Sequence, residues 1–239
     1  MPGGHSRRRR GPQKRRKRGL DKEAILDAAF AMLAREGEAG FSVRKVAAAI
    51  GVDPMTVLHH FRCKNDLLRA IADRALTTVE LPSPSKSWKT DLRRVAAAYR
   101  DLAHRYPRIF HLHFRYHATG AADHASSEVV YRALLSTGLK KAQAAGLGLA
   151  FYAFVLGFAL AETEGLLAPL NDAEEAELTA LDPGAVPATV ALIPAFRALD
   201  PDTAFASAIG AFIAGVATLT GGKENARRPT TARRRVAKV

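Results

Sequence analysis

The densest group of side chains able to contact a polyanion lies between residues 42 and 64. This stretch carries four Lys/Arg and one acidic residue, a local net charge of +3. Hydroxyl, imidazole and cationic groups can donate hydrogen bonds to phosphates and base edges, and apolar side chains can pack against thymine methyl groups. The candidate contact residues are Ser42, Arg44, Pro54, Met55, Thr56, His59, His60 and Lys64. These residue types predict a surface that contacts nucleic acid.

Two short helices joined by a tight turn are predicted to position these groups. Apolar residues from Val43 to Ile50 recur at i, i+3, i+4 and i+7 after the N-cap candidate Ser42, which indicates a helix. Gly51 ends it, and Pro54 suits the first turn of the next helix. The pattern is a helix-turn-helix, whose second helix reads the major groove. Periodicity also predicts a preceding helix over residues 22–36 and a following one that begins at Lys64 or Asn65.

Residues 22–72 resemble the DNA-binding domain of the TetR family of bacterial repressors. The family pattern is T/S-x-R-x-[LIV]-A-x-x-[LI]-G-V, followed by T-[LIV]-Y-x-H/Y-[FV]-x-x-K. The matching positions are Ser42, Arg44, Val46, Ala47, Ile50, Gly51, Val52, Thr56, Val57, His60, Phe61 and Lys64. Leu58 departs from the pattern, because the family usually has an aromatic residue there that touches the DNA backbone. One phosphate contact is therefore expected to be missing.

The resemblance implies a role for each matching polar residue. Arg44 is expected to contact a base or a phosphate, and a bidentate Arg–guanine pair is worth about 1–3 kcal/mol of discrimination. The expected phosphate anchors are Thr56, His60 and Lys64, and the expected base-edge contacts are Pro54, Met55 and His59. For the two histidines, a plain solvated helix surface is the alternative interpretation.

The formal net charge of +13 is concentrated at the two ends of the sequence. Residues 1–20 contain nine Lys/Arg and no acid, and residues 221–239 contain seven Lys/Arg and one acid, whereas the body carries −2. Blocks of like charge repel, so both ends are predicted to be disordered basic arms that contact nucleic acid, with Lys17 and Arg18 entering the minor groove or following phosphates. A solvated tail that aids solubility is the alternative. No apolar segment of a signal peptide follows the first basic residues, so a cytoplasmic, nucleoid-associated location is expected.

The rest of the chain predicts an all-α protein with two domains. The helix-turn-helix domain is predicted over residues 21–78 and a helical effector and dimerisation domain over 86–220. The predicted helices of the second domain cover residues 88–106, 108–118, 126–145, 148–168 and 201–219. Residues 169–200 are rich in proline and acidic residues, and are predicted to form a mostly mobile loop with room for one short helix.

Two uncharged stretches of 20 residues, 142–161 and 203–222, are long enough to cross a membrane. Their alanine, glycine, serine, threonine and glutamine content favours buried helices of a soluble domain instead. No membrane partner is therefore expected.

Residues 87–112 and the region around residues 156 and 157 resemble the tetracycline-repressor-like branch of the family. Aromatic and acidic residues in this half predict a small-molecule pocket, with ordinary core packing as the alternative for any single residue. The candidate ligand contacts are Tyr99, His111, Phe114, His117, Phe154, Phe158 and Glu162. By resemblance, His111 stands where that branch uses a metal-coordinating histidine, and His113 and His117 have metal-binding i, i+4 spacing. No carboxylate pattern accompanies them, so no metal or cofactor is predicted, and a metal–drug site is the alternative.

These features predict a homodimeric, ligand-responsive transcriptional repressor. Helices 148–168 and 204–219 would form a four-helix dimer interface, and two-fold symmetry predicts a palindromic double-stranded DNA operator that a small-molecule effector of unknown identity releases. A sequence-independent polyanion-binding protein with a degenerate reading head is the main alternative. An enzyme is not expected, because the sequence lacks a G-x-S-x-G elbow, a P-loop and a dinucleotide fingerprint. The single cysteine, Cys63, excludes an internal disulfide.

Overall fold

The fold is helical throughout the part of the chain that the computed structural model describes, residues 21–116 and 118–226, and no strand occurs within those ranges. The predicted all-α class is confirmed. The helices are α1 Lys22–Gly40, α2 Val43–Ala49, α3 Pro54–Phe61, α4 Lys64–Leu76, α5 Trp88–Arg105, α6 Pro107–Phe110, α7 Leu112–Arg115, α8 Ala121–Ser136, α9 Lys141–Thr163, α10 Asp172–Thr179, α11 Pro187–Ala191, α12 Ile193–Arg197 and α13 Pro201–Ala226.

Helix α1 begins at Lys22, where the sequence predicts, and contains a kink at Gly37 before its last residue, Gly40. Asp21 caps it, because its Oδ1 accepts a hydrogen bond from the amide of Ala24 at 2.8 Å. The first stretch of regular helix ends at residue 36, as predicted, because Gly37 has a non-helical φ of 68° and ψ of −176°, and a short helical stretch follows this kink as far as Gly40. A left-handed φ of this kind costs glycine little. The extension places Glu38 beside α6 and α7.

Helices α2 and α3 form the predicted helix-turn-helix. Ser42 Oγ accepts from the amide of Lys45 at 3.2 Å and caps α2, and Asp53 Oδ1 accepts from the amide of Met55 at 2.7 Å and caps α3. Gly51, with a φ of 70°, makes the turn between them. The residues of this pair that are buried against α1 and α4 are Val46, Ala47, Val57 and Phe61.

The prediction of one helix over residues 126–145 is wrong. Helices α8 and α9 occupy this region, because Gly138 adopts a φ of 82° just after α8 and reverses the chain. The Gln143 side chain then caps α9 by accepting a hydrogen bond from the amide of Lys140 at 3.2 Å. Compared with the predicted helix 148–168, α9 therefore starts seven residues earlier, at Lys141, and ends five residues earlier, at Thr163.

The segment 169–200 holds three short helices, α10 to α12, where the sequence predicted mostly loop. Asn171 Oδ1 accepts from two amides of the first turn of α10 at 3.0 Å, and Glu174 accepts from the amide of Asn171 at 2.9 Å. This capping box explains why α10 forms. Arg197 of α12 donates to Asp172 at 2.8 Å, so the segment folds back on itself.

Helices α5, α8 and α9 pack around one core, and α13 packs against α5 and α9. A methyl group at Gly148 would lie 2.4 Å from Cε1 of Tyr131, so glycine is needed for this close approach of α9 to α8. The buried apolar residues of this half join those of α1 to α4 in one continuous cluster. The helix-turn-helix and the second half therefore share packed surface.

By length and composition alone, α9 and α13 could each cross a membrane. Each buries one face in the fold, through residues such as Phe151 and Val155 on α9 and Ile209 and Ile213 on α13. The opposite face of each helix is exposed and uncharged over most of its length. The prediction that both helices are buried therefore holds for one face only.

Candidate DNA-reading surface and effector cavity

The predicted DNA contacts lie together on the outer side of α2, α3 and the start of α4. Arg44, Met55, His59 and Lys64 are exposed, and the half-buried members are Ser42, Pro54, Thr56 and His60. Met55 is 68% exposed, although methionine side chains are usually buried in the core. Such a residue at the N-terminus of the second helix is free to contact a base edge.

The junction between α3 and α4 fixes the far end of this surface. Arg62 has a φ of 46°, a left-handed conformation that is uncommon for any residue but glycine. Its Nε donates to Asp66 Oδ2 at 2.7 Å, which spans the first turn of α4. The ammonium of Lys64 lies 5.8 Å from the centre of the Phe41 ring, a cation–π distance. Leu58, which replaces the family's aromatic residue, is half-buried.

Lys17 and Arg18 lie outside the described residues, as does His117. The same holds for residues 227–239 of the predicted C-terminal arm. The roles predicted for them remain predictions.

A cavity of about 160 Å³ lies in the second half of the molecule, among α5, α7, α8 and α9. Of the predicted ligand contacts, Tyr99 lines it. Its other walls include the side chains of His113, Tyr116, Asp123, Tyr131 and Tyr152. The Tyr99 ring meets those of Tyr152 and His113 edge to face, with ring centres 5.4 and 5.9 Å apart.

Hydrogen bonds inside the fold occupy part of this polar lining. Tyr99 Oη donates to Asp123 Oδ1 at 2.8 Å, and the amide of Thr119 donates to Asp123 Oδ2 at 3.0 Å. The hydroxyls of Tyr152 and Ser126 lie 3.0 Å apart. Burial raises the pKa of Tyr99 well above its usual range and that of Tyr152 to about 12, so both phenols are neutral donors.

Three buried polar atoms have no hydrogen-bond partner among the described residues. They are His113 Nε2, Tyr116 Oη and Thr119 Oγ1. His113 is 7% exposed, and burial lowers the pKa of its imidazole to about 4, against the opposing influence of the Asp123 carboxylate. The ring is therefore uncharged at neutral pH.

Most of the other predicted ligand contacts lie away from this cavity. Phe154 packs on Phe158, and Phe158 packs on Phe205 of α13 with ring centres 5.2 Å apart. Phe114 is 49% exposed. His111 faces α1, where its Nε2 lies 3.0 Å from Glu38 Oε2.

Glu162 is held by an ion-pair cluster that joins three helices. Its carboxylate accepts from Nε and Nη2 of Arg100 at 2.7 and 2.6 Å, and Arg100 also lies 2.7 Å from Asp202 of α13. His104 Nε2 lies 3.2 Å from the same carboxylate. The Arg100 hydrogen bonds hold the pKa of Glu162 below its usual range. Glu162 therefore has a structural role, because its ion pair with Arg100 and the contact of Arg100 with Asp202 link α5, α9 and α13.

Hydrogen bonds join the first four helices and the turn after them to the second half at several places, one of them from Arg105 Nη1 to the carbonyl of Thr78 at 3.1 Å. On α4, Asp73 Oδ1 accepts from the amides of Ala122 and Asp123 at 3.0 and 3.2 Å, and Arg69 donates to the carbonyl of Ala118 at 2.8 Å. Asp73 thus caps α8 from the other half of the protein. A methyl group at Gly120 would lie 2.5 Å from the Asp73 carboxylate, so glycine permits this approach.

Another junction lies at the end of α1. Glu38 accepts from both Nη atoms of Arg115 at 2.6 and 2.7 Å, in addition to its contact with His111. The Arg115 hydrogen bonds are the main cause that lowers the pKa of Glu38 to about 2. His111, a ligand candidate from sequence, is therefore part of a contact between the two halves.

Among the side chains of residues 21–116 and 118–221, no three histidine, cysteine or acidic groups cluster in a way that could hold a metal ion. Asp123, Tyr131 and Tyr152 line the cavity, although the sequence pattern did not mark them as candidate ligand contacts. Tyr131 lies on α8 and Tyr152 on α9, and the boundary between these two helices was predicted wrongly. The sequence therefore did not indicate that the two side chains face each other. Asp123 lies in the first turn of α8, where a carboxylate is an ordinary helix feature.

Comparisons with known proteins cover both halves of the chain. Residues 25–71 match the family model described as bacterial regulatory proteins of the tetR family, and residues 81–220 match the tetracyclin repressor-like C-terminal domain. The class A tetracycline repressor protein from transposon 1721 of Escherichia coli is 28% identical over 203 residues, 83% of this chain and 91% of that protein. The class D repressor of E. coli is 33% identical over 90 residues, which span 36% of this chain and 41% of the relative.

Solved structures show the same fold. A putative transcriptional regulator from Streptomyces coelicolor is 28% identical and superimposes with a TM-score of 0.68 over 84% of this chain and 98% of its own. The TetR family protein ActR of S. coelicolor, in complex with (S)-DNPA, is 24% identical with a TM-score of 0.74 over the same shares of the two chains. Since the second family model alone spans more than half of the sequence, the chain belongs to the TetR family of bacterial regulatory proteins.

Proposed function

We propose that this protein is a homodimeric transcriptional repressor that binds a palindromic operator and leaves it when a small molecule occupies the cavity beside Tyr99. The observation that carries the proposal is the hydrogen-bonded path between the two sites. Asp123 lines the cavity and its amide is bound by Asp73 of α4, which packs directly against α3. A shift of Asp123 on ligand binding therefore reaches the reading helix through one shared contact.

The reading surface supplies the DNA-binding half of the proposal. Its exposed members are Arg44, Met55, His59 and Lys64. The helix-turn-helix that carries them has a buried inner face and an N-cap on each of its two helices. Arg44 and Lys64 provide cations for phosphates or guanine, and Met55 and His59 provide groups for base edges.

A dimer would cover the exposed, uncharged faces of α9 and α13. Gly146 on α9 and Gly210 and Gly215 on α13 have open space where a side chain would project, so nothing within the described part of one chain explains the small residues there. Small residues allow close helix packing between two copies. Two reading heads related by a two-fold axis would then contact a palindromic operator.

Small-molecule response is supported by the relatives. Two of the similar solved structures are of ActR with bound small molecules, (S)-DNPA in one and actinorhodin in the other. A ligand releases DNA only if it binds the DNA-free conformation more tightly than the DNA-bound one. The contacts of Asp73 with α8 and of Glu38 with Arg115 join the two halves and can differ between those conformations.

The proposal is tested by fluorescence anisotropy at physiological salt. The labelled probe is the duplex immediately upstream of the protein's own gene, and a scrambled duplex of equal length is the control. We expect about a thousandfold preference for the upstream duplex. Arg44→Ala should weaken that binding about tenfold or more, because it removes a base or phosphate contact. The matched control is Arg132→Ala, since Arg132 is an exposed arginine on α8 far from the reading surface.

The alternative, a sequence-independent polyanion binder, predicts equal affinity for both duplexes and a steep loss with salt. The dozen family positions that agree in register in the reading head argue against it. Equal binding that Arg44→Ala leaves unchanged would decide for the alternative.

A further inference from the structure

Two residues, Arg62 and Cys63, connect α3 to α4. Arg62 has a φ of 46° and a ψ of −46°, and the amide of Cys63 donates a hydrogen bond to the carbonyl of Phe61. This arrangement is the γ-turn with a positive φ, the rarer and more strained of the two γ-turn forms. Glycine would adopt it at little cost, whereas a residue with a side chain is strained there. The strain indicates that the Arg62 side chain has a role of its own.

The positive φ redirects the Arg62 side chain. Compared with a continued helix of φ about −63°, its Cβ is rotated by about 110° around the N–Cα bond. The side chain reaches the first turn of α4, where its Nε donates to Asp66 Oδ2 at 2.7 Å. An exposed ion pair of this kind adds little stability, so it does not by itself offset the strain.

The terminal groups of the Arg62 guanidinium are available to a ligand. The side chain is 87% exposed, and within the described residues no hydrogen bond engages either Nη atom. A guanidinium presents its N–H groups in a planar fork that matches two oxygens of a phosphate. The ion pair through Nε restricts the side chain, so less conformational entropy is lost when a phosphate binds.

Arg62 borders the predicted DNA surface. It lines an open groove of about 400 Å³ between α1, α3, α4 and the chain before α8, together with His60, a predicted phosphate anchor. The ionisable residues of the groove are Lys22, His60, Arg62, Asp66, Arg69 and Asp73. Both carboxylates already accept hydrogen bonds, Asp66 from Arg62 and Asp73 from amides in the first turn of α8. Three Lys/Arg side chains against two engaged carboxylates favour an anion at this place.

The position of Arg62 along α3 suits a phosphate more than a base. Residues at the N-terminus of a reading helix contact base edges. Arg62 follows the last residue of α3, so it stands at the opposite end of the helix, about 12 Å from Pro54 along the axis. Phosphates border the groove and receive about half or more of the hydrogen bonds that proteins make to DNA. A long cationic side chain at this end of α3 is therefore suited to the DNA backbone.

We propose that Arg62 binds a phosphate of duplex DNA, and that the γ-turn and Asp66 hold its guanidinium in place for this contact. The proposal rests on the proposed function in that the reading head docks on DNA with α3 in the major groove. A phosphate contact carries no sequence information, so Arg62 contributes affinity for every duplex and no preference among them.

The test is fluorescence anisotropy with the full-length protein over a series of salt concentrations, on the upstream duplex and the scrambled one. Arg62→Gln should weaken binding to both duplexes about tenfold and leave the ratio of the two affinities unchanged. The slope of log affinity against log salt should become shallower by about 2, because each protomer of a dimer loses one phosphate contact. Arg62→Lys keeps the charge and should keep the slope.

The matched control is Arg132→Gln, since Arg132 is an exposed arginine on α8 beside an acidic residue four positions away. It should change neither the affinity nor the salt slope. An effect of Arg62→Gln no larger than that of this control, or a loss of affinity for the upstream duplex alone, would contradict the phosphate contact.

Arg62→Gly separates the phosphate contact from a purely structural role. Glycine keeps the turn and relieves its strain, so the midpoint of urea denaturation should stay equal or rise. The affinity and the salt slope should change as in Arg62→Gln, because both variants lack the guanidinium. A lower midpoint in Arg62→Gly, or a loss of affinity with an unchanged salt slope, would show that Arg62 only supports the fold and would overturn the proposal.

The same measurements separate this proposal from the proposed function. If the unaltered protein binds both duplexes equally and Arg62→Gln still flattens the salt dependence, the phosphate contact is supported and the operator-specific repressor is contradicted. A preference of the unaltered protein for the upstream duplex, with the affinity and slope of Arg62→Gln unchanged, supports the repressor and contradicts the role of Arg62.

Discussion

The proposed reading surface and the cavity beside Tyr99 place their polar groups in opposite surroundings. On the reading surface, Arg44, Met55 and Lys64 are exposed and stand on a small frame whose buried residues are all apolar. In the cavity, Tyr99, His113 and Asp123 are buried or half-buried and take part in the packing themselves. In the reading head, the residues that stabilise the fold are therefore different from those proposed to contact DNA. In the cavity, a residue such as Tyr99 both packs in the core and lines the proposed binding site.

The largest expected effect tests this separation within the head. Phe61→Ala should lower the free energy of unfolding by about 3–5 kcal/mol, because Phe61 is 3% exposed and its removal leaves a cavity between α3 and α4. Met55→Ala, on the same helix, should change it by less than about 0.5 kcal/mol and yet weaken operator binding. Urea denaturation and anisotropy measure the two quantities. A large loss of stability in Met55→Ala would show that frame and function overlap here too.

The next effect concerns His113 and is visible as a pH dependence. The unfolded chain binds a proton at His113 near its usual pKa of 6.5, whereas in the folded protein burial lowers this pKa to about 4. Between these values the unfolded state holds more protons, so stability falls as pH drops from 6.5 to 4, by about 3 kcal/mol in total. His113→Phe should flatten this part of the curve. Denaturant midpoints at several pH values measure it, and an unchanged slope would refute the assignment to His113.

A smaller effect is expected at the junction formed by Asp73. Asp73→Ala leaves the first amides of α8 without their acceptor, which should cost about 1–2 kcal/mol of unfolding free energy. The variant should also weaken the influence of effector on DNA affinity, since the contact between cavity and head is lost. Asp73→Asn keeps an acceptor oxygen and should recover most of both quantities. If Asp73→Ala keeps full effector response, the coupling runs elsewhere.

The smallest effect is expected at Glu38. Its pKa is about 2 in the folded protein against 4.5 as the usual value, so its contribution is complete above pH 4.5 and is lost as pH falls towards 2. Arg115 is 43% exposed, and solvent screening limits the contribution to roughly 0.5–1 kcal/mol. Glu38→Gln should lower stability by that amount at neutral pH and by nothing near pH 2. An effect as large as that of Asp73→Ala would make α1 the main junction.

The head could be predicted from sequence because its determinants are local. Ser42, Gly51 and Pro54 act on their immediate neighbours as caps, turn and first-turn residue, and the i, i+3, i+4 spacing marks the buried face. Gly37 interrupts α1 where the sequence predicts its end, and the short helical stretch beyond the kink, which places Glu38 against Arg115, was not predicted.

The second half was harder to predict because its determinants are contacts between distant residues. Gly138 separates α8 from α9, yet the surrounding apolar pattern continues across it. Glu162 and His111 have the residue types of ligand contacts, and each is engaged by a partner more than 60 residues away. Nothing in the spacing of the sequence indicates those partners.

By itself, the sequence determined that this protein is all-helical, that its reading head lies between residues 42 and 64, and which side chains of the head face outward. Helix periodicity and capping fix those features within a few residues. The tertiary structure decided which aromatic residues enclose the cavity, which of them keep unpaired polar atoms, and how Asp73 joins the cavity to the reading head. These features depend on side chains from four or five helices, whose relative placement arises from packing and not from the local order of residues.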